Sequence, residues 1–189
     1  MTTSTENAVL TDKDTLKEVI DCLTEHISID TQGAFNQTDL LNIIVGTASQ
    51  ADTIENTASK FKKSCSGQNI RYHLAKFKSF QQLETQLNLA LISRLPGRIK
   101  KRNLKLAIDL NLIPYYGKPS KQEQDYIYRS QAKNGTCSFY AYASLYVIAK
   151  NKRVTLAIIG VKNSMKSLFL SGLFVNIAKA NAENLALSI

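Results

Sequence analysis

The chain has 189 residues, enough for one ordinary domain or two small ones, and its 44 % hydrophobic content argues against wholesale disorder. Its net charge of +9 is unevenly spread: residues 1–60 hold ten acids against Lys13, Lys17 and Lys60, whereas residues 61–189 hold 21 Lys/Arg against Glu84, Asp109, Glu123, Asp125 and Glu183. A segregated basic half suits a polyanionic partner, because neutralised phosphates release condensed counterions, although a solvated basic face has the same composition. Cys22, Cys65 and Cys137 form no C-x-x-C pair, and with His26 and His73 they make neither a zinc site of the usual spacing nor a disulfide framework, so a reducing cytosol is expected. The polar stretch Met1 to Leu10 lacks the pattern of a signal peptide, and the apolar run Leu168 to Ala178 is shorter than the roughly 20 residues of a membrane span. A soluble cytoplasmic protein is expected.

Residues 1–98 read as helices. Thr11 and Asp14 form a capping box ahead of Leu16, Val19, Ile20, Leu23 and Ile27, which recur at helical spacing. A linker from Asp30 to Asn36 follows. Leu40, Leu41, Ile43, Ile44 and Val45 then predict a short apolar helix ending near Gly46. Ser49 and Asp52 repeat the capping pattern before Ile54, Ala58 and Phe61. Ser64 to Gly67 reads as a turn, and Ile70, His73, Leu74 and Phe77 as the next helical stripe. His73 reads as a packed core residue. Ser79 and Gln82 start a further helix carrying Leu83, Leu87, Leu91 and Leu95, halted at Pro96-Gly97.

The texture changes after residue 98. Leu104, Leu106, Ile108, Leu110 and Leu112 alternate with Lys105, Ala107, Asp109, Asn111 and Ile113, which predicts a strand. Thr136 to Ile148 is a second β-rich run. Asn151 to Arg153 makes a turn, and Val154 to Val161 a third strand, antiparallel to the second. A helical segment, Asn163 to Ala180, comes last, with Leu168, Leu170, Leu173 and Phe174 as its core or exposed group. The expected architecture is α+β: a helical region over residues 1–98, then three antiparallel strands and a helix over residues 99–189.

Four groups of residues invite a chemical reading. Asp109 stands mid-strand in apolar surroundings, where an unpaired buried charge is costly. It is either a structural acid paired with Lys105 or a neighbouring cation, or a ligand for a divalent metal. Residues 51–77 outline a helix–turn–helix, whose second helix offers Gln68, Asn69, Arg71, Tyr72 and Lys76 to base edges and phosphates, with Lys60, Lys62 and Lys63 beside it; an ordinary helical hairpin has the same outline. Arg94, Arg98, Lys100, Lys101, Arg102 and Lys105 make a basic cluster that is either a solvated linker or a phosphate grip. Tyr115 and Tyr116 open a 21-residue loop, Tyr115 to Gly135, that also carries Arg129 and Lys133. They either stack on an unpaired base or pack the loop down.

The segment Ala107 to Pro119, AIDLNLIPYYGKP, resembles the first catalytic strand of prokaryotic DDE transposases. More narrowly, it is similar to the halobacterial ISH-three group of the insertion-sequence-four superfamily. The resemblance continues through Tyr128 to Thr136, Ala141-Tyr142-Ala143, Tyr146-Val147-Ile148 and Val154 to Ile158, covering roughly residues 104–160. It implies a ribonuclease-H-like catalytic domain, DNA transposition or recombination, and Asp109 as the first acid of a D-D-E site holding two Mg²⁺ ions. It also implies a helical region that binds the ends of an insertion sequence, and nucleoid association. The family's second acid follows a fourth strand and its third lies on a later helix. After Asp109 this sequence offers Glu123, Asp125 and Glu183, all out of place. The expectation is therefore an N-terminal, catalytically incomplete transposase fragment, or a non-catalytic DNA-binding remnant. Such a chain would occupy element ends, pair with full-length transposase or self-associate.

Overall fold

A computed structural model describes residues 11–33, 35–61, 66–77, 79–96, 105–121, 123–149, 152–163 and 172. They form an α+β protein of five α-helices and a four-stranded antiparallel sheet, in two compact units, Met1–Gln86 and Leu87–Ile189. The segment expected as a terminal helix, Asn163 to Ala180, lies almost entirely outside the described residues.

The first unit is built from short capped helices. Helix α1, Asp12–His26, starts at the expected capping box: Thr11 Oγ1 accepts from the Asp14 amide, and the Asp14 carboxylate accepts from the Thr11 amide. Ile20, Cys22 and Ile27 are buried, while Leu16 and Val19 of the predicted stripe lie exposed. Helix α2, Gln37–Gln50, has a second capping box, Asn36 with Asp39, that the sequence reading overlooked. The Gln37 side chain also pins the preceding connection, accepting from the Ile29 amide at 3.0 Å and donating to Ile27 O.

Gly46 does not end α2. It faces Thr57 and Phe61 mid-helix, and α2 runs on to Gln50 before Ala51 stops it in the left-handed region, at φ 49°. Ser49 is consequently inside α2 and caps nothing; Thr53 caps α3, Ile54–Ser59. Helix α4, Gly67–Leu74, starts at Ser66, whose hydroxyl accepts from the Asn69 amide. Leu40, Ile43, Ala58 and Ile70 are fully enclosed, which puts the core of this unit between α2, α3 and α4. Helix α5, Phe80–Ser93, begins after Ser79, which accepts from the Gln82 amide as the sequence implied, and it straddles the boundary between the two units.

The sheet has four strands where three were expected: β1, Leu106–Pro114; β2, Ile127–Lys133; β3, Thr136–Ala149; and β4, Lys152–Gly160. The additional strand, β2, lies in the stretch read as a long loop. It forms a hairpin with β3 through Asn134 and Gly135, both at positive φ (52° and 79°). Two left-handed residues match the right-handed twist of the flanking strands, which is why Asn-Gly favours this turn. That dipeptide was the available signal for β2. Arg129 and Lys133 therefore stand on a strand rather than in a loop.

Strand β3 is the centre of the sheet. Along one flank it pairs with β1, from Leu106↔Val147 to Pro114↔Phe139. Along the other it pairs with β2 over its first residues and with β4 over its last. Side chains alternate between faces. Phe139, Ala141, Ala143, Leu145 and Val147 are buried on one face with Ala157, Ile159 and, beyond β4, Val161. Leu112, Tyr128 and Leu156 pack against this cluster, Leu156 as the extra residue of a β-bulge between Leu145↔Ala157 and Tyr146↔Thr155. The opposite face carries Tyr140, Tyr142, Ser144, Tyr146 and Ile148.

Candidate nucleic-acid interface

Helix α4 divides cleanly into two faces. Ile70 and His73 point inward, at 0 % and 2 % exposure, and the His73 ring stacks on Phe35 with centroids 5.6 Å apart. Gln68, Asn69, Arg71 and Tyr72 point outward. Helical spacing causes this split: residues 70 and 73 share one side of the turn, and their neighbours take the other. The structure thus brings four of the five proposed DNA-reading side chains of this helix to one exposed surface.

Arg71, Tyr72 and Lys76 are among those already engaged. The Arg71 guanidinium pairs with the Glu55 carboxylate from α3. The hydrogen bond from Arg71 holds the Glu55 carboxyl below its usual range and raises the Arg71 pKa in turn. Glu55 lies so close over the start of α4 that a Cβ at position 67 would come within 2.6 Å of its carboxylate oxygen, so Gly67 leaves it the space. The Lys76 ammonium lies 4.7 Å from the centre of the Tyr72 ring, a cation–π contact, with its nitrogen buried and without a hydrogen-bond partner among the described residues. Lys60 donates to Asp52 at 2.9 Å, and Lys62 and Lys63 lie outside the described residues.

The basic cluster is described at its two ends. Arg94 and Lys105 are exposed, whereas Arg98, Lys100, Lys101 and Arg102 fall outside the described residues. On the sheet, Arg129 is exposed and donates to Ser138 Oγ at 2.8 Å, and Lys133 is exposed at the end of β2. Tyr115 and Tyr116 pack the loop: Tyr115 sits edge-on to Tyr140 at 5.0 Å, and Tyr116 donates to Asn134 O at 2.7 Å. Tyr140 has a partner that no local spacing announces, for its hydroxyl donates to Glu123 Oε1 at 3.0 Å. Burial first, and that hydrogen bond second, push the Tyr140 pKa up to about 12.

Asp109 is exposed on β1, so the expected cost of burying it does not arise. It stands opposite Ser144, on the face that also carries Ala107, Asn111, Tyr142 and Tyr146. Among the described residues no group of three His, Cys, Asp or Glu side chains is placed to share a metal ion. A lone carboxylate beside a serine and tyrosines does not fit a two-ion centre. Among the same residues no helix is long and apolar enough to cross a membrane. Comparison with protein-family models, with curated proteins and with solved structures returns no match.

Proposed function

We propose that the chain is a DNA-binding protein of DDE-transposase descent, belonging to an insertion sequence and catalytically incomplete through these 189 residues. In this reading α4 contacts the duplex, and the basic segment from Arg94 through Arg98, Lys100, Lys101 and Arg102 to Lys105 grips its backbone. The observation that carries the reading is the exposed face of α4, where Gln68, Asn69, Arg71 and Tyr72 stand together above a buried Ile70 and His73. Amide and guanidinium groups in that arrangement suit base edges and phosphates. The charge of the chain after residue 60 supports it, since a basic surface raises the local concentration of a polyanion. The resemblance of residues 104–160 to the catalytic strands of DDE transposases supports the descent, with Asp109 at the position of the first metal ligand and Arg129 and Lys133 as further phosphate contacts.

The second reading, a non-catalytic occupant of element ends or a partner of full-length transposase, is favoured for activity because no group of three potential metal ligands gathers around Asp109 among the described residues. Magnesium enters the reading only with carboxylates beyond Asp109. Fluorescence anisotropy with labelled duplexes over a range of salt tests DNA binding. We expect binding that weakens steeply with salt, and charge reversal of Arg98, Lys101 and Arg102 together should flatten the log–log slope by about 0.9 per lost phosphate contact. Absence of binding at low salt would overturn the proposal. Mg²⁺-dependent strand transfer by the isolated chain on insertion-sequence ends would overturn its catalytic incompleteness.

A further inference from the structure

Backbone hydrogen-bond parity shows which groups of β1 have no strand beside them. Ile148 N–H donates to Lys105 O at 2.8 Å, and Tyr115 N–H donates to Ser138 O at 2.9 Å, both in the β1–β3 register. Odd-numbered residues of β1 therefore turn their N–H and C=O groups toward β3. The even-numbered ones, Leu106, Ile108, Leu110 and Leu112, turn theirs to the other flank, where no strand is paired among the described residues. The side chains of Leu106, Ile108 and Leu110 are 44 %, 46 % and 41 % exposed, although their partners on β3 are buried. An exposed apolar edge with unpaired backbone groups is a template for another strand.

The charges on that strand select the partner. Lys105, the residue just before β1, and Asp109 lie four residues apart and on the same side by alternation, both exposed, and neither makes an ion pair among the described residues. Opposite charges so spaced are self-complementary when the strand meets a second copy of itself in antiparallel sense.

We infer that β1 is a self-association edge. Two copies of the chain pair their β1 strands antiparallel about a two-fold axis at Ala107. Lys105 then stands opposite Asp109 of the second copy, and Leu106 opposite Ile108. The parity is satisfied: the even residues meet as hydrogen-bonded pairs and exchange four backbone hydrogen bonds. Opposed Asp109 side chains, which a register centred two residues later creates, are avoided. Each sheet keeps its apolar face on the same side, so the two faces join into one. A ladder this short gives a weak dimer, with a Kd on the order of 10–100 μM, because the interface stays below about 1,000 Å². The inference does not rest on DNA binding.

Sedimentation equilibrium and disulfide trapping test it on the full chain. Wild type should shift from monomer to dimer as its concentration rises through that range. Asp109→Lys should raise Kd at least tenfold, and adding Lys105→Asp should restore it. Ile108→Pro removes an outward N–H that β3 does not use, so it should keep the circular dichroism and melting of the fold yet stay monomeric. In a Cys65→Ser, Cys137→Ser background, Ala107→Cys should form a disulfide-linked dimer, because two residues facing each other on the axis as a non-hydrogen-bonded pair have Cα atoms about 4.5 Å apart. Asn111→Cys should not. A folded wild type that stays monomeric throughout, leaving this flank to a strand of another protein, would overturn the inference. So would a dimer that Asn111→Cys traps and Ala107→Cys does not.

Discussion

Asn88 stands in for a missing strand beside Ile158. Its carboxamide donates to Ile158 O at 2.9 Å and accepts from Ile158 N–H at 2.8 Å. Ile158 faces Ser144 across the β3–β4 ladder but directs its backbone groups away from β3, so among the described residues Asn88 is the partner of this part of the edge. One helical side chain thereby satisfies a donor and an acceptor that a flat edge would offer to other chains. Asn88→Ala should reduce stability by about 1–3 kcal/mol, the net worth of two partly buried hydrogen bonds. Hydrogen exchange at the Ile158 amide should accelerate more than at its neighbours. Unchanged protection there would show that the contact contributes nothing.

The pairing of Glu55 with Arg71 restrains a side chain that the proposed function assigns to DNA. Glu55→Gln keeps a side chain of the same size over Gly67 while releasing the guanidinium. If Arg71 contacts a phosphate, affinity for duplex DNA should rise about tenfold or less at low salt, and the salt dependence should steepen by about 0.9. Because the pair is exposed and screened by solvent, thermal stability should hardly change. A loss of DNA affinity would mean that Glu55 positions Arg71 instead of holding it back.

Tyr140 should titrate late. Its folded pKa of about 12 exceeds the ordinary value of 10.0, so the protonated phenol is the form that the fold favours. Its contribution to stability is complete below pH 10 and disappears as the pH rises through about 12. Ultraviolet titration of phenolate should show a component ionising near pH 12, about two units above the ordinary tyrosine value, and Glu123→Gln should bring it earlier. A single common transition for all tyrosines would contradict this.

Two turn residues should respond to substitution in opposite directions. Ala51 ends α2 at φ 49°, where an L side chain is strained, so Ala51→Gly should stabilise the protein by about 1 kcal/mol. Gly135 already meets the same demand at φ 79°, and Gly135→Ala should cost about 1–2 kcal/mol and weaken the β2–β3 hairpin. Chemical denaturation of both variants checks the pair.

Local rules account for what the sequence made readable. The Thr11–Asp14 box, the Ser79 cap, the alternation from Leu106 to Pro114 and the β3–β4 hairpin all depend on residues close in the chain. The Asn134-Gly135 turn belongs with them, since the dipeptide alone favours a two-residue hairpin. The α4 surface was also legible, because helical spacing alone separates Ile70 and His73 from Gln68, Asn69, Arg71 and Tyr72.

Contacts between distant residues settled the rest. Alternation divides β1 into two faces without saying how much of either is covered. Pairing with β3 on one flank, and with no described strand on the other, leaves the leucine face half open and Asp109 in solvent. Gly46 continues a helix that local propensity would end there. Glu55 reaches across 16 positions to occupy Arg71, and Asn88 across 70 to close the edge at Ile158. Spacing in a chain fixes which side of an element a residue takes; only the packing of elements decides whether that side meets solvent, another side chain or an unpaired backbone.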